Sequence, residues 1–118
     1  HENFATIMLG FKDDRIATIS SNWITPTRVR NFNAVCTDGR IFSDFITQEI
    51  RVETENGTES PKERKAEPLS LEIRNFLDTI DGKKELVVKP EQAVNVTRVA
   101  EAALLSSQKG IPIYLDIK

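Results

Sequence analysis

Alternation of apolar and polar residues dominates the first half of the chain and predicts β-strands. Residues 4–11 alternate with a period of two, and further strand-like runs cover residues 15–23, 28–37, 41–46 and 49–55. Asp38-Gly39, between two of these runs, is a strong hairpin signal and predicts a type I′ turn. We therefore predict an antiparallel meander of five strands.

The second half of the chain has the period of helices. Residues 58–67 are polar and predict a loop. Two helices should follow, one that starts near Pro68 and ends before Gly82, and one from Pro90 to Gly110. Their apolar stripes are Leu69, Ile73, Phe76, Leu77 and Ile80 in the first, and Ala93, Val96, Ala100, Ala103, Leu104 and Ser107 in the second.

Two shorter runs complete the predicted fold. Leu86–Val88 has the composition of a short strand, and Ile111–Ile117 alternates as a last, edge strand interrupted by Pro112. Strands followed by helices predict an α+β fold, with a mostly antiparallel open sheet of about six strands and two helices packed on one face. At 118 residues we expect a single domain, residues 1–118, that buries roughly two thirds of its unfolded surface.

Composition and charge exclude several function classes. Lys and Arg total 16 against 18 acidic residues, so no basic excess indicates nucleic acid, and no apolar run is long enough to span a membrane. The one cysteine, Cys36, and the one histidine, His1, are too few for a zinc site, and a Ser-His-Asp or Cys-His arrangement would require the terminal His1 to fold back as the base. An unpaired cysteine favours a reducing, cytoplasmic location. The five scattered glycines form neither a phosphate loop nor a dinucleotide fingerprint.

The segment Asn22–Arg30 is the densest cluster of residues suited to ligand binding. Arg28 and Arg30 suit phosphate or carboxylate groups, and Trp23, next to Asn22, suits a sugar or a flat ring. The alternative is structural, with Trp23 in the core and both arginines solvated or ion-paired. Asp44 is the more interesting acid of the chain, although a carboxylate on the outer face of a strand is an adequate explanation for it.

Several motifs resemble one enzyme family over nearly the whole chain. Phe4–Phe11, Ile16–Ile19 and Asn22–Arg30 are similar to the C-terminal domain of the Gfo/Idh/MocA oxidoreductases. The similarity continues through Cys36–Gly39 to Asp44, and resumes in Glu67-Pro68-Leu69 with Glu72, Phe76 and Leu77, and in Ala100–Ala103 with Ser106 and Ser107. The form Trp-Ile-Thr-Pro-Thr-Arg-Val-Arg resembles the sugar-nucleotide dehydrogenases most.

The resemblance implies a two-domain enzyme of which this chain is most of the second half. The Rossmann half that binds NAD or NADP would be absent here, as the start at His1 also suggests, and this chain would bind no cofactor. The family's Glu-Lys-Pro motif and its Asp-x-x-x-His element have no match, because Lys89-Pro90 opens a helix and His1 lacks the preceding aspartate. The resemblance therefore places no catalytic residue in this chain, which alone should be inactive.

Two hypotheses for function follow. In the first, the chain is the substrate-binding and oligomerisation domain of an NAD(P)-dependent dehydrogenase of a sugar or nucleotide sugar. Trp23, Arg28, Arg30 and Asn22 would then contact substrate or keep structural roles, and the open sheet face would form a homo-oligomer. In the second, the chain is a stand-alone, non-catalytic α+β module that dimerises through its sheet and binds a small ligand or a protein.

Overall fold

The computed structural model describes residues 3–62 and 65–117 and shows an α+β fold. Within these residues two helices follow six antiparallel strands, and the strands form one sheet of two and one of four. The predicted fold class is therefore confirmed. The division of the strands into two sheets was not visible in the sequence pattern.

The two-stranded sheet is a hairpin of β1 (Phe4–Gly10) and β2 (Ile16–Asn22). Its turn is closed by the Phe11 N–H, which donates to the Arg15 carbonyl oxygen at 2.9 Å. Asp14 takes the left-handed conformation with φ of 63°. Aspartate tolerates this conformation better than most residues, which explains why the turn needs no glycine.

The four-stranded sheet contains β3 (Asn31–Cys36), β4 (Gly39–Asp44), β5 (Glu49–Thr54) and β6 (Gly57–Glu59) in chain order. The first three strands confirm predicted strands. β6 corrects the prediction of a loop from residue 58. The chain reverses tightly after Thr54, which pairs with Gly57, so that three residues too polar to suggest a strand complete the backbone ladder of β5.

The hairpin between β3 and β4 exists, but its turn is not the predicted type I′ turn. Cys36 pairs with Gly39, so the two turn residues are Thr37 and Asp38, and neither has a positive φ. Gly39 itself has φ of 152°. A Cβ there would overlap the carbonyl oxygen of Glu53 and lie 3.1 Å from its carbonyl carbon. Glycine is therefore required by the neighbouring strand rather than by the turn.

Register gives the four-stranded sheet two different faces. We call one the apolar face, and it carries Phe32, Ala34, Ile41, Ile50 and Val52. The opposite, charged face carries an ion pair between Arg40 and Glu53 at 2.7 Å, and the guanidinium of Arg51 over the Phe42 ring at 4.8 Å.

Helices α1 (Pro68–Ile80) and α2 (Pro90–Lys109) begin and end where the sequence predicts. The Glu67 carboxylate caps α1 by accepting from the Ser70 N–H at 2.6 Å. Gly82 and Gly110, which follow the two helices, have φ of 69° and 67°. Proline at the start and left-handed glycine after the end are local signals, which explains the agreement.

Neither of the two shorter predicted strands forms within the described residues. Leu86–Val88 is coil, and the side-chain amide of Asn75 holds it in place. This amide donates to the Glu85 carbonyl at 3.0 Å and accepts from the Val87 N–H at 3.1 Å. Ile111–Ile117 keeps alternating exposure but lacks a ladder. Two side chains of α2 hold the ends of this last segment instead. The Ser106 hydroxyl donates to the Ile111 carbonyl at 2.7 Å, and the Arg98 guanidinium donates to the Asp116 carbonyl at 3.1 Å.

The expected buried core is absent from the described residues. None of them is buried, and on α1 the predicted apolar stripe is 50–67% exposed while Asn75, Asp78 and Thr79 on the other side are half-buried. On α2 the half-buried side includes Val99 and Ala102, whereas Val96 of the predicted stripe is 71% exposed. The apolar pattern of these elements therefore has no complete partner among the described residues.

The fold comprises two compact units. The first contains Thr18–Ala66 with the start of β1, and the second contains Ile7–Ala17 with the chain from Glu67 onwards. The first unit holds the four-stranded sheet and the whole of the segment Asn22–Arg30. The ligand-binding residues predicted from the sequence therefore belong to one unit.

Replacement of Gly39 by alanine should destabilise the four-stranded sheet by roughly 2–4 kcal/mol, because it adds backbone strain and overlap with the Glu53 carbonyl. Gly10→Ala is the matched control, since Gly10 also lies in a strand but has open space around its Cα and no positive φ. Urea unfolding of both variants, followed by far-ultraviolet circular dichroism, measures the difference. Equal stability of the two variants would contradict the role of Gly39.

Candidate functional site

The loop that carries the candidate residues starts with a side chain that binds its own backbone. Asn22 ends β2, and its Oδ1 accepts from the Ile24 N–H at 3.0 Å and the Thr25 N–H at 2.9 Å. The Thr25 hydroxyl adds a third hydrogen bond to Oδ1 at 3.1 Å. This is an Asx turn, which fixes the chain without help from a core. The Asn22 oxygen is thus committed to shaping the loop.

Trp23 lies at the start of this loop with its side chain 88% exposed. Its backbone N–H donates to the Asn3 carbonyl at 2.9 Å, so the residue sits on an anchored backbone. The structural alternative, which places Trp23 in a core, does not hold in this structure. A ring so exposed on a fixed backbone is available to stack on a ligand.

Arg28 and Arg30 follow Trp23 in the same loop and are exposed. Four other arginines, Arg15, Arg40, Arg51 and Arg98, each contact a carboxylate, a carbonyl or a ring. Among residues 3–62 and 65–117, no carboxylate lies within ion-pairing distance of Arg28 or Arg30. Binding of an anion to either guanidinium group therefore breaks no ion pair with a described residue.

The far end of the loop is tied to a second turn. The Phe45 N–H donates to the Arg30 carbonyl at 2.8 Å, and Asn31 pairs with Asp44 in the sheet. Asp44 ends β4 as Asn22 ends β2, and its Oδ1 accepts from the Ile46 N–H at 2.8 Å and the Thr47 N–H at 2.9 Å. Phe45 and Ile46 are 58% and 50% exposed on this turn.

The role of the Asp44 turn was missed by the sequence reasoning, although a signal for it is present. Residues 22–25 read Asn-Trp-Ile-Thr and residues 44–47 read Asp-Phe-Ile-Thr, so the same pattern occurs twice. In each case the first side chain accepts from the backbone two and three residues later. The repeated pattern therefore marks two turns that expose an aromatic residue and an isoleucine.

Backbone hydrogen bonds change the acidity of Asp44. The N–H groups of Thr47 and Ile46 hold the pKa of its carboxyl below the ordinary value of 3.8. The explanation from the sequence, a carboxylate on the outer face of a strand, is thus incomplete, because Oδ1 of Asp44 accepts two hydrogen bonds from its own turn. The Asp44 carboxyl is therefore ionised at neutral pH, and its negative charge lies on the turn next to the arginine loop.

The sequence around the two arginines of the loop lacks acidic residues. The chain contains 18 acidic residues, but none lies between Asp14 and Asp38. Arg28 and Arg30 fall within this acid-free stretch. A net charge of −2 over the whole chain therefore conceals a locally basic segment that suits an anionic ligand.

Other kinds of site receive no support from the described part of the chain. Within it, no group of three or more His, Cys, Asp or Glu side chains is placed to hold a metal ion. Cys36 is exposed and is not part of a disulfide. His1 lies outside the described residues. The described helices also include none whose length and apolar character would suit a bilayer span.

Comparison with known proteins identifies a family. Residues 5–115 match the sequence profile described as oxidoreductase family, C-terminal alpha/beta domain, of the Gfo/Idh/MocA group. No curated protein sequence matches the chain at a significant level.

Two solved structures share the fold. A protein of Thermotoga maritima with a provisional description as an oxidoreductase superimposes with a TM-score of 0.78 at 20% identity over 92% of this chain. The UDP-N-acetylglucosamine 3-dehydrogenase GnnA of Acidithiobacillus ferrooxidans gives a TM-score of 0.73 at 20% identity over 87% of this chain. This chain spans only 33% of each of these two proteins.

Asp44 should make stability depend on pH in the acid range. Because its pKa is lower in the folded than in the unfolded chain, its contribution is fully present above about pH 4 and is lost as the pH falls further, where the unfolded chain takes up the proton first. Asp44→Asn keeps the acceptor oxygen but does not titrate. The difference in unfolding free energy between wild type and this variant should therefore shrink below about pH 4.

Urea unfolding of both proteins at intervals from about pH 2.5 to 7 measures this difference. A difference that stays constant over the whole range would contradict the role of the Asp44 carboxylate in its turn. Asp44→Ala, which removes the acceptor altogether, should be less stable than Asp44→Asn at every pH in the series.

Proposed function

The chain belongs to the oxidoreductase family as its C-terminal α/β domain, and from this premise we propose that it binds substrate and forms subunit contacts in an NAD(P)-dependent dehydrogenase of a sugar or nucleotide sugar. The family match over residues 5–115 carries the proposal. The loop with Trp23, Arg28 and Arg30 supports it, because it offers in one segment an exposed ring and two guanidinium groups that form no ion pair with a described residue.

The proposed reaction is the oxidation of a sugar hydroxyl. A nicotinamide held by the complete enzyme would accept the hydride from the alcohol carbon, and a base would take the hydroxyl proton, which would leave a ketone. The chain offers no glycine-rich loop at the start of a helix for the cofactor, because its glycines lie in strands, turns and helix ends. Cofactor and base would therefore be held by another part of the enzyme.

That other part would be a Rossmann domain outside this sequence. In both structural neighbours two thirds of the protein lies beyond the region that this chain matches. The proposal assigns the cofactor to that region and the recognition of substrate to this chain. The residues assigned to recognition are Asn22, which shapes the loop, Trp23, which contacts a ring, and Arg28 and Arg30, which contact an anionic group.

We propose the apolar face of the four-stranded sheet as the surface that joins two copies of the protein. Phe32 is 52% exposed and Ile41 is 38% exposed, and no residue of the face is buried. The charged face, with the Arg40–Glu53 pair, has ionic partners of its own and remains compatible with water. A sheet with one apolar and one charged face needs a cover on the apolar side.

The enzymatic proposal predicts activity only in the complete enzyme. The polypeptide encoded by the gene that contains this sequence should reduce NAD⁺ or NADP⁺ when given a nucleotide sugar or a free sugar, measured at about 340 nm with a panel of both. The purified 118-residue chain should show no turnover with the same panel. Turnover by the chain alone would contradict the assignment of the cofactor and the base to another part of the enzyme. A gene product that lacks a cofactor domain and shows no turnover would favour the stand-alone, non-catalytic binding module instead.

The oligomer proposal predicts that a charge on the apolar face separates the subunits. Ile41→Glu should lower the mass of the protein in sedimentation equilibrium to that of a monomer, because an unpaired carboxylate cannot enter an apolar interface. Asn33→Glu is the matched control, as it places the same group on the charged face of the neighbouring strand. A monomeric wild type, or equal masses for both variants, would contradict this interface.

A further inference from the structure

We propose that the two Asx turns, residues 22–25 and 44–47, and the arginines between them form one site for a nucleoside diphosphate, with Phe45 as a binding residue. The inference rests on the proposed function and narrows it, because it selects nucleotide sugars over free sugars. It also adds a residue that the sequence did not single out. Phe45 would contact the base or the ribose, and Arg28 and Arg30 the two phosphates.

Geometry places Phe45 beside the arginine loop. Its N–H binds the Arg30 carbonyl at 2.8 Å, so the turn that carries the ring is joined directly to the segment that carries the guanidinium groups. The Asp44 carboxylate fixes this turn through two backbone hydrogen bonds, in the same manner as Asn22 fixes the turn of Trp23. Each turn therefore presents an exposed aromatic ring on a constrained backbone, which lowers the entropy lost on binding.

Charge and shape together select the ligand class. Arg28 and Arg30 have no carboxylate partner among the described residues and lie in the acid-free stretch, which suits phosphate oxygens. Trp23 and Phe45 are 88% and 58% exposed, which suits a planar or apolar ring. A free sugar has no charge for the arginines, and inorganic pyrophosphate has no ring. A nucleoside diphosphate supplies both.

The sole tryptophan of the chain provides a direct measurement. Because Trp23 is the one tryptophan in the sequence, its fluorescence reports on this loop without background. The probes are uridine diphosphate, adenosine diphosphate, inorganic pyrophosphate and free N-acetylglucosamine, each titrated into the 118-residue chain. Uridine diphosphate should quench Trp23 in a saturable manner. Pyrophosphate should bind about fivefold or more weakly, and the free sugar should leave the signal unchanged.

Variants of Phe45 test the new residue. Phe45→Ala should weaken the affinity for uridine diphosphate by about fivefold or more, whereas Phe45→Tyr, which keeps the ring, should stay within about twofold of wild type. Phe76→Ala is the matched control, since Phe76 is 56% exposed on α1 in the other unit and should leave the affinity unchanged. Far-ultraviolet circular dichroism of each variant verifies that the strands are retained.

Four results would overturn the inference. They are the absence of saturable quenching by either nucleoside diphosphate, equal affinity for pyrophosphate, equal affinity of the Phe45→Ala and Phe76→Ala variants, and saturable quenching by the free sugar. None of these results decides the proposed function, because NAD(P) reduction by the complete gene product is measured separately. A dehydrogenase active only on free sugars would leave the proposed function standing and remove the nucleotide site.

Discussion

Side-chain oxygens and amides that bind backbone groups hold the connections of this chain in place. Asn22 and Asp44 accept from the turns after β2 and β4. Gln48 binds both the N–H and the carbonyl of Ala66, and Asn75 binds two groups of the coil after α1. Each such bond contributes only about 1 kcal/mol in water. They decide the local conformation nevertheless, because no described residue is buried and packing cannot do so.

The candidate site follows from this constraint. Trp23 and Phe45 remain exposed because the side chains before them, and not a core, fix their backbones. The same arrangement explains why Arg28 and Arg30 stand without ion pairs to any described residue, since the loop is anchored at Trp23 and Arg30 through main-chain bonds and does not need its charges to hold it. Recognition and folding therefore use different atoms of the same segment.

The unpartnered apolar surfaces set a larger energy scale than these hydrogen bonds. Burying one large apolar side chain stabilises a protein by about 1.5–3 kcal/mol. The stripe of α1 and the apolar face of the sheet, with Phe32 and Ile41 among its residues, together carry many such side chains in half-exposed or exposed positions. Covering them in an assembly would outweigh all the side-chain caps together. Local bonds thus define the conformations, and the partner surface would supply most of the stability.

The features that depend on neighbouring residues could be predicted from the sequence, and those that depend on distant residues could not. Helix bounds at Pro68, Pro90 and Gly110 depend on neighbours within a few residues, and they were predicted correctly. Features that depend on distant residues were not predicted. Glycine is required at position 39 by the carbonyl of Glu53 on another strand. The strands expected at residues 86–88 and 111–117 do not form, because a strand needs a ladder partner and no local pattern supplies one. The Asx turns are local and were readable in principle, but the bond that joins Phe45 to Arg30 is not. The loop with Trp23, Arg28 and Arg30 can therefore be located from its sequence. That the turn with Phe45 lies beside this loop becomes visible only when strands β3 and β4 are paired.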